Sequence, residues 1–391
     1  MSDLGIYIHL PFCKRKCDYC SFFSLSNFCE SDIKKYIENL CLEINNTFSN
    51  NDFNIKSKTI DSIYFGGGTP SLINEKYIGK ILDCFDIAEK DIEITIEGNP
   101  ESLGKEKLKY YKTVGINRLS IGIQSLNDNM LSILGRIHNS SQAISAYNNA
   151  RNAGFENISI DLIFGIPGQT YDILKNEIEK VLLLNPEHIS YYSLEIEKDL
   201  PLYNNILKGN LIEIPDEKNR KMYWEIIKSL KENGYEQYEI SNFAKKRKSS
   251  TNHIFSSRHN LKYWTGKDYF GFGIAAHSYL KKENGSSFSI RLENIHCKNQ
   301  ELSYKRVKYY LSEKDDMKEY IFMGLRKNEG INFSDFQNRY GENIEKFYKN
   351  EIINLLERDL IEKSKKNKLN EKIFLTKRGF DFANEVFLEF L

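Results

Sequence analysis

The chain has 391 residues, enough for two or three domains, and its 40% apolar and 28% charged residues are typical of a globular protein. Its net charge of +1 gives no electrostatic basis for binding nucleic acid. No segment approaches the roughly 20 apolar residues that a membrane span needs, and the N-terminus lacks the pattern of an export signal. We therefore expect a cytoplasmic protein.

The first 200 residues alternate between short apolar runs and amphipathic stretches. This alternation predicts repeated βα units around a parallel sheet. The predicted strands are 6–10, 60–65, 92–97, 118–124, 158–164 and 188–194. The predicted helices between them are 31–47, 74–85, 105–114, 140–153 and 171–184. Six strands are too few for an eight-stranded barrel, so the expected fold is α/β, either a partial (β/α)6 barrel or an open sheet.

The alternation ends near residue 201. Residues 216–233 are predicted to form one long helix that stops at Gly234, and residues 235–279 are rich in aromatic residues, glycine and histidine. Further on, helices at 334–340 and 344–358, a hairpin of strands 360–362 and 372–375, and a helix from Lys377 indicate a winged-helix-like domain. We divide the chain into a barrel (1–200), an α+β extension (201–315) and a C-terminal domain (316–391).

Three cysteines lie within eight residues, Cys13, Cys17 and Cys20, in the spacing C-x3-C-x2-C. A four-iron cluster usually takes four thiolates, so three would leave one iron open to a small molecule. Structural zinc is the main alternative, although it usually needs four ligands. His9 is a poor fourth ligand, because in an extended strand it would point to the same side as Tyr7. A loop without metal is the remaining interpretation.

Other polar or Gly-rich residues fall at the ends of predicted strands, where parallel α/β folds bind ligands. The segment Gly66–Thr69 would allow a ligand to approach the backbone closely, or form a tight βα turn. Each of four further side chains could contact a ligand or make a structural hydrogen bond or salt bridge: Glu97, Gln124, Arg136 and Asp161. Arg136 could hold a carboxylate with two parallel hydrogen bonds.

A second group of interest is Arg258–Trp264, in which a histidine lies beside tyrosine and tryptophan. Such a histidine could be an axial ligand of haem iron. A packed structural histidine is the alternative.

Together these motifs resemble the radical S-adenosylmethionine (SAM) superfamily, in the branch around oxygen-independent coproporphyrinogen III oxidase. The resemblance rests on the segments 7–20, 66–70, 97–100, 122–125 and 161–170. It implies that Cys13, Cys17 and Cys20 hold a [4Fe–4S] cluster whose open iron binds SAM. It also implies that Tyr7 and Tyr19 flank the cluster and SAM. Gly67, Gly68 and Thr69 would lie along the methionine part. The carboxylate, ribose and adenine would be held by Glu97, Gln124, Arg136 and Asp161.

Two features separate this chain from the oxidase of that branch. The oxidase has a further cysteine two residues after the third, where this chain has Phe22. Six residues precede Tyr7, so we expect no counterpart of the oxidase's N-terminal extension. Both features agree with the HemW family of haem chaperones, which carries an H-N-x-x-Y-W signature like that at residues 259–264. This likeness makes His259 the preferred haem ligand; His253, His277 and Cys297 are weaker candidates.

We therefore expect a chaperone with three ligands: a [4Fe–4S] cluster, SAM and haem. It would receive haem from a donor such as a storage protein and deliver it to respiratory apoproteins, with contact at the inner face of the membrane. The alternative is an enzyme, the oxidase that decarboxylates coproporphyrinogen III; we name no catalytic residue.

Overall fold

A single long sheet forms the centre of the molecule. A computed structural model describes residues 3–50, 53–87, 91–246, 254–281, 289–297, 302–364 and 371–391. Its first six strands are β1 (Asp3–Leu10), β2 (Thr59–Gly67), β3 (Glu93–Gly98), β4 (Arg118–Gln124), β5 (Ile158–Phe164) and β6 (His188–Ser193). They lie side by side in chain order and are all parallel, which confirms the predicted βα repeats.

Helices connect these strands and cover the sheet. They are α1 (Glu30–Asn50), α2 (Glu75–Leu82), α3 (Lys105–Thr113), α4 (Asp128–Ile133), α5 (Ser140–Asn152) and α6 (Tyr171–Leu184). In α1 the buried residues Ile33, Ile37, Leu40 and Ile44 recur at intervals of three and four, the spacing of one apolar helix face. The first turn of α5 is fixed by a reciprocal cap between Asn139 and Gln142.

The extension adds strands to both edges of the same sheet. Its elements are α7 (Pro201–Leu207), α8 (Asp216–Glu232), β7 (Tyr235–Gln237), β8 (Asn242–Lys245), α9 (Arg258–Trp264), β9 (Tyr269–Phe272), β10 (His277–Leu280), β11 (Ser289–His296) and β12 (Tyr304–Leu311). Within the described ranges the strand order is β12-β11-β10-β9-β1-β2-β3-β4-β5-β6-β8-β7, so the sheet is not closed on itself. Strand β9 pairs with β1 in parallel, and β8 pairs with β6 antiparallel.

The C-terminal segment has a core of its own. It comprises α10 (Glu313–Gly324), β13 (Ile331–Asn332), α11 (Phe333–Tyr340), α12 (Ile344–Glu357), β14 (Ile361–Lys363), β15 (Lys372–Leu375), α13 (Lys377–Asp381) and α14 (Ala383–Leu388). The three strands form a small antiparallel sheet in the order β13-β15-β14, and the expected hairpin is the pair β14–β15. A cluster that includes Phe336, Ile352 and Val386 packs between these elements. The domain boundaries themselves stay a prediction.

Among the described residues, no helix is long and apolar enough to cross a membrane.

Candidate functional site

The carboxyl ends of the parallel strands open into one cavity of about 460 Å³. The cysteine loop follows β1, the glycine segment ends β2, and the Glu97 turn ends β3. The cavity is lined by these predicted residues: Cys13, Cys17, Tyr19, Cys20, Gly67, Gly68, Thr69, Glu97, Gln124, Arg136 and Asp161. Their convergence follows from the parallel topology, which brings the ends of successive strands to one edge.

Arg136 links three parts of the cavity wall. One terminal nitrogen, Nη1, donates to Cys17 Sγ at 3.2 Å. The other, Nη2, donates to Asn99 Oδ1 at 2.7 Å and to the carbonyl oxygen of Gly122 at 2.8 Å. Asn99 in turn donates to Thr69 Oγ1 at 3.0 Å, and that hydroxyl lies 3.6 Å from Cys13 Sγ. The cysteine loop is therefore held against the turns that follow β2 and β3.

The two glycines of the β2 turn are required by the fold itself. Gly67 has φ of +107°, and a Cβ there would lie 2.7 Å from the His9 ring. At Gly68 an added Cβ would meet backbone atoms of Pro11 and Phe12 at 2.7–2.9 Å. No side chain fits between the β2 turn and the start of the cysteine loop.

Two carboxylates face the cavity from neighbouring strands. Glu97 Oε1 accepts a hydrogen bond from the Tyr64 hydroxyl at 2.8 Å, and burial raises the pKa of Glu97 to about 7. Asp161 accepts from Ser120 at 2.8 Å and from Ser159 at 3.1 Å. Burial also raises the pKa of Asp161. Both groups are therefore poised to exchange hydrogen bonds with hydroxyl or amino groups of a ligand.

Tyr7 and His259 are not among the residues that line the cavity. The Tyr7 hydroxyl lies 3.2 Å from His9 Nδ1, and its ring is stacked near those of Tyr64 and His259, with centroids 6.3 Å apart in each case. Tyr7 thus packs near Tyr64, which lines the cavity, and does not line the cavity itself. The contact of Tyr7 with the cluster and SAM stays a prediction.

The placement of His259 does not fit a haem ligand. The residue is only 1% exposed, its Nδ1 lies 3.2 Å from Ser62 Oγ, and its Nε2 lies 2.9 Å from the Tyr263 hydroxyl. Its ring stacks on Tyr64 with centroids 5.2 Å apart. Both ring nitrogens are already hydrogen-bonded inside the protein, so neither is available to iron. The structure therefore agrees with the alternative interpretation, a packed structural histidine.

Helix α9 nevertheless contributes to the site. It packs at the amino-terminal end of the inner sheet face, where Glu93 Oε1 accepts from the backbone N–H groups of Arg258 and His259. Asn260 of this helix lines the cavity. Of the weaker haem candidates, His253 lies outside the described residues, Cys297 is half-buried and His277 is exposed.

Several lining residues were not anticipated. They are Tyr64, Asn99, Arg118, Ser120, Ser190, Tyr192 and Asn260. The alternation of side chains along a strand could have identified Arg118 and Ser120. Every second residue of β4 points to the same face, so these two share the face of Gly122 and Gln124. Asn260 lies within the H-N-x-x-Y-W signature, but its place in the cavity depends on α9, which reaches the sheet from far along the chain.

Comparison with known proteins identifies the family. The model of the Radical SAM superfamily matches residues 7–181, and that of the HemN C-terminal domain matches residues 311–382. The heme chaperone HemW of Bacillus subtilis (strain 168) is 35% identical over 394 residues, covering 98% of this chain and 98% of its own. The chain belongs to the HemW family.

Other relatives agree. The heme chaperone HemW of Lactococcus lactis is 35% identical over 98% of this chain and 96% of its own. A mitochondrial radical S-adenosyl methionine domain-containing protein 1 of Danio rerio is 31% identical over 84% of this chain and 74% of its own. The solved structure of Escherichia coli coproporphyrinogen III oxidase (HemN) covers all of this chain and 90% of its own, with a TM-score of 0.78. At 20% identity, that likeness concerns the fold alone.

The cofactors of the superfamily are a [4Fe–4S] cluster and SAM, and the cavity fits both. Three soft thiols border it, and the buried Nε of Arg136 has no hydrogen-bond partner. No three cysteine, histidine or acidic residues in the described ranges are grouped closely enough for a single metal ion. The cofactor set of the superfamily takes the place of the zinc alternative. His9 cannot complete such a site, since its Nε2 lies 3.1 Å from the carbonyl oxygen of Phe23.

The first prediction concerns Gly68. Gly68→Ala should lower the free energy of unfolding by about 1–3 kcal/mol, because the new methyl group meets backbone atoms. Urea denaturation measures the loss, and Gly104→Ala, where a Cβ would meet no atom within 4 Å, is the control. Equal stability of the two variants would contradict the close packing.

The second prediction concerns Glu97. Because its folded-state pKa of about 7 lies above the unfolded value near 4.3, the folded state binds more protons between these pH values. The contribution of Glu97 to stability is therefore complete below pH about 4.3 and is lost as the pH rises toward 7, by roughly 3 kcal/mol. Glu97→Gln should remove this part of the pH dependence in urea denaturation of the cofactor-free protein. Parallel stability–pH curves for the two proteins would refute the assignment.

The third prediction concerns His259. His259→Ala should cost about 2–4 kcal/mol of stability, since it removes two buried hydrogen bonds and a ring stack. Tyr263→Phe, which removes one hydroxyl, should cost less. Chemical denaturation of both variants measures this, and a loss below about 0.5 kcal/mol for His259→Ala would show that the ring is dispensable to the fold.

Proposed function

We propose that the protein is a haem chaperone that holds a [4Fe–4S] cluster and SAM in the cavity and transfers haem to other proteins. The observation that carries this proposal is the full-length similarity to HemW proteins, together with a cavity in which the three cysteines converge. The alignment with these relatives includes the cysteine loop, the strand ends that line the cavity and the C-terminal segment.

In this proposal Cys13, Cys17 and Cys20 bind the cluster, and Arg136 stabilises the thiolate of Cys17 by hydrogen bonding. Burial raises the pKa of Cys13 and of Cys20, so binding must overcome the cost of deprotonating them. Gly67, Gly68 and Thr69 would face the methionine part of SAM, and Tyr19 would flank the cluster. The polar groups of SAM would be contacted by Gln124, Glu97 and Asp161. When bound, the cluster supplies the electron for reductive chemistry on SAM.

The oxidase alternative receives less support. At the position of the oxidase's additional cysteine, the side chain is that of Phe22, which is 69% exposed and lines the mouth of the cavity. A phenyl ring offers neither a metal ligand nor a thiol. At 20% identity, the likeness to the oxidase concerns the fold alone and gives its reaction no support.

The recipients that we propose are respiratory haem apoproteins, and the donor is a haem-storage protein. Work in the cytoplasm, with contact at the inner face of the membrane, would bring the chaperone to such recipients. Sedimentation with anionic lipid vesicles, compared with neutral ones, tests the membrane contact, and absence from both pellets would remove it.

The fourth prediction tests the proposal. After anaerobic reconstitution the protein should contain about four irons and four sulfides per chain. It should bind haem and SAM, and it should not form a vinyl-bearing product from coproporphyrinogen III.

Cys17→Ala should abolish iron incorporation, whereas Cys41→Ala, which alters a buried cysteine of α1, should retain it. Iron analysis, visible absorption and product chromatography provide the measurements. Absence of haem binding, or catalytic turnover of coproporphyrinogen III, would overturn the proposal.

A further inference from the structure

Haem iron is usually held by an axial side chain, most often a neutral imidazole. The exclusion of His259 leaves open which side chain of this protein could serve. Every histidine except His253 lies within the described residues, so their availability can be compared directly.

Most of these imidazoles are already engaged. His9, His138, His188 and His259 are each less than 5% exposed. His188 Nδ1 lies 2.8 Å from Ser159 Oγ, and its Nε2 lies 2.8 Å from the Tyr238 hydroxyl. His138 Nε2 lies 3.0 Å from the carbonyl oxygen of Ile123, and its Nδ1 is 3.4 Å from the Glu101 carboxylate. Using any of them for haem would require breaking buried contacts.

His277 differs from all of these. It begins β10, its side chain is exposed, and no hydrogen bond or ion pair joins its imidazole to another residue in the described part of the chain. The groups that face it across the sheet are Glu293, opposite in the β10–β11 ladder, and Arg291. Partial desolvation lowers the pKa of His277 below its ordinary value, so the imidazole is neutral at neutral pH. That is the form that binds metals.

His277 lies beside β1, the strand that leads into the cysteine loop: a Cβ at Gly271, which pairs with Tyr7, would be 2.3 Å from the carbonyl oxygen of His277. It is close enough to His9 for its charge to lower the pKa of that residue. His9 in turn contacts Phe23 through its ring and through the carbonyl oxygen of Phe23. Phe22, the residue before Phe23, lines the cavity and is 69% exposed. The structure thus provides a free imidazole beside β1 and an exposed phenyl ring in the loop that follows β1. A porphyrin needs both an iron ligand and an apolar surface.

We propose that His277 is the axial ligand of haem iron, with the porphyrin lying beside the cavity mouth. This assignment rests on the proposed function, because it presupposes that the protein carries haem. His296 and Cys297 are the competing ligands of this region. His296 is half-buried against Phe23 with ring centroids 4.8 Å apart, and its buried Nε2 has no hydrogen-bond partner among the described residues, whereas the imidazole of His277 is exposed. Cys297 is half-buried.

The fifth prediction tests the assignment by haem titration of the cluster-loaded protein. His277→Ala should weaken ferric haem binding by at least about tenfold and shift the Soret band. His277→Gly should regain the wild-type spectrum when free imidazole is added, which a merely structural histidine would not allow. His277→Met should give a distinct spectrum, because a thioether replaces the imidazole. His296→Ala and Cys297→Ser are matched controls and should keep the wild-type spectrum.

Iron content, SAM binding and the thermal transition of each variant show whether the fold and cavity are intact. Wild-type affinity and spectrum in His277→Ala would overturn the assignment while leaving the haem-chaperone proposal in place. A change confined to His296→Ala or Cys297→Ser would overturn it in favour of that residue. If the Ala variant loses its fold, the spectrum of His277→Met decides, and a wild-type spectrum there would refute the assignment. Failure of the wild-type protein to bind haem would instead refute the proposed function.

Discussion

The guanidinium of Arg136 is the contact on which the cavity depends. It joins the cysteine loop after β1 to the turn after β3 and to the backbone of β4. The cysteine loop is distant in sequence from the other two segments, and Arg136 bonds to it through Cys17. A buried guanidinium with fixed donors can satisfy a thiolate, an amide oxygen and a carbonyl at once, which a lysine could not do with the same geometry. The same cation offsets negative charge where a cluster would lie.

The inner face of the sheet is unusually polar for a buried surface. Tyr64, Ser120, Asp161 and Ser190 lie on it, and Arg118 is 1% exposed with its Nε lacking a hydrogen-bond partner. Burying such groups costs free energy unless they find partners, so the face is built for polar ligands rather than for packing. The protein compensates elsewhere, with an apolar core between the outer face of the sheet and its helices.

Much of the barrel could be predicted from the sequence, because its strands are short apolar runs separated by amphipathic helices and each pattern is local. The cavity followed from the same regularity: once the strands are parallel, Cys13, Gly67 and Glu97 must meet at one edge. Two kinds of feature could not be predicted. The pairing of β9 with β1 and of β8 with β6 depends on contacts between distant segments. The burial of His259 depends on α9 docking against β2 and β3, so the motif alone could not distinguish a free imidazole from one already hydrogen-bonded on both sides.

Strand β1, which carries the cysteine loop, is an interior strand with a parallel neighbour on each side, β2 and β9. The loop therefore departs from the middle of a continuous hydrogen-bonded sheet instead of from a free edge. Whatever that loop holds is therefore tied to a strand whose backbone is hydrogen-bonded on both sides. The pairing of β9 with β1 also joins the extension directly to the strand that carries the cysteine loop.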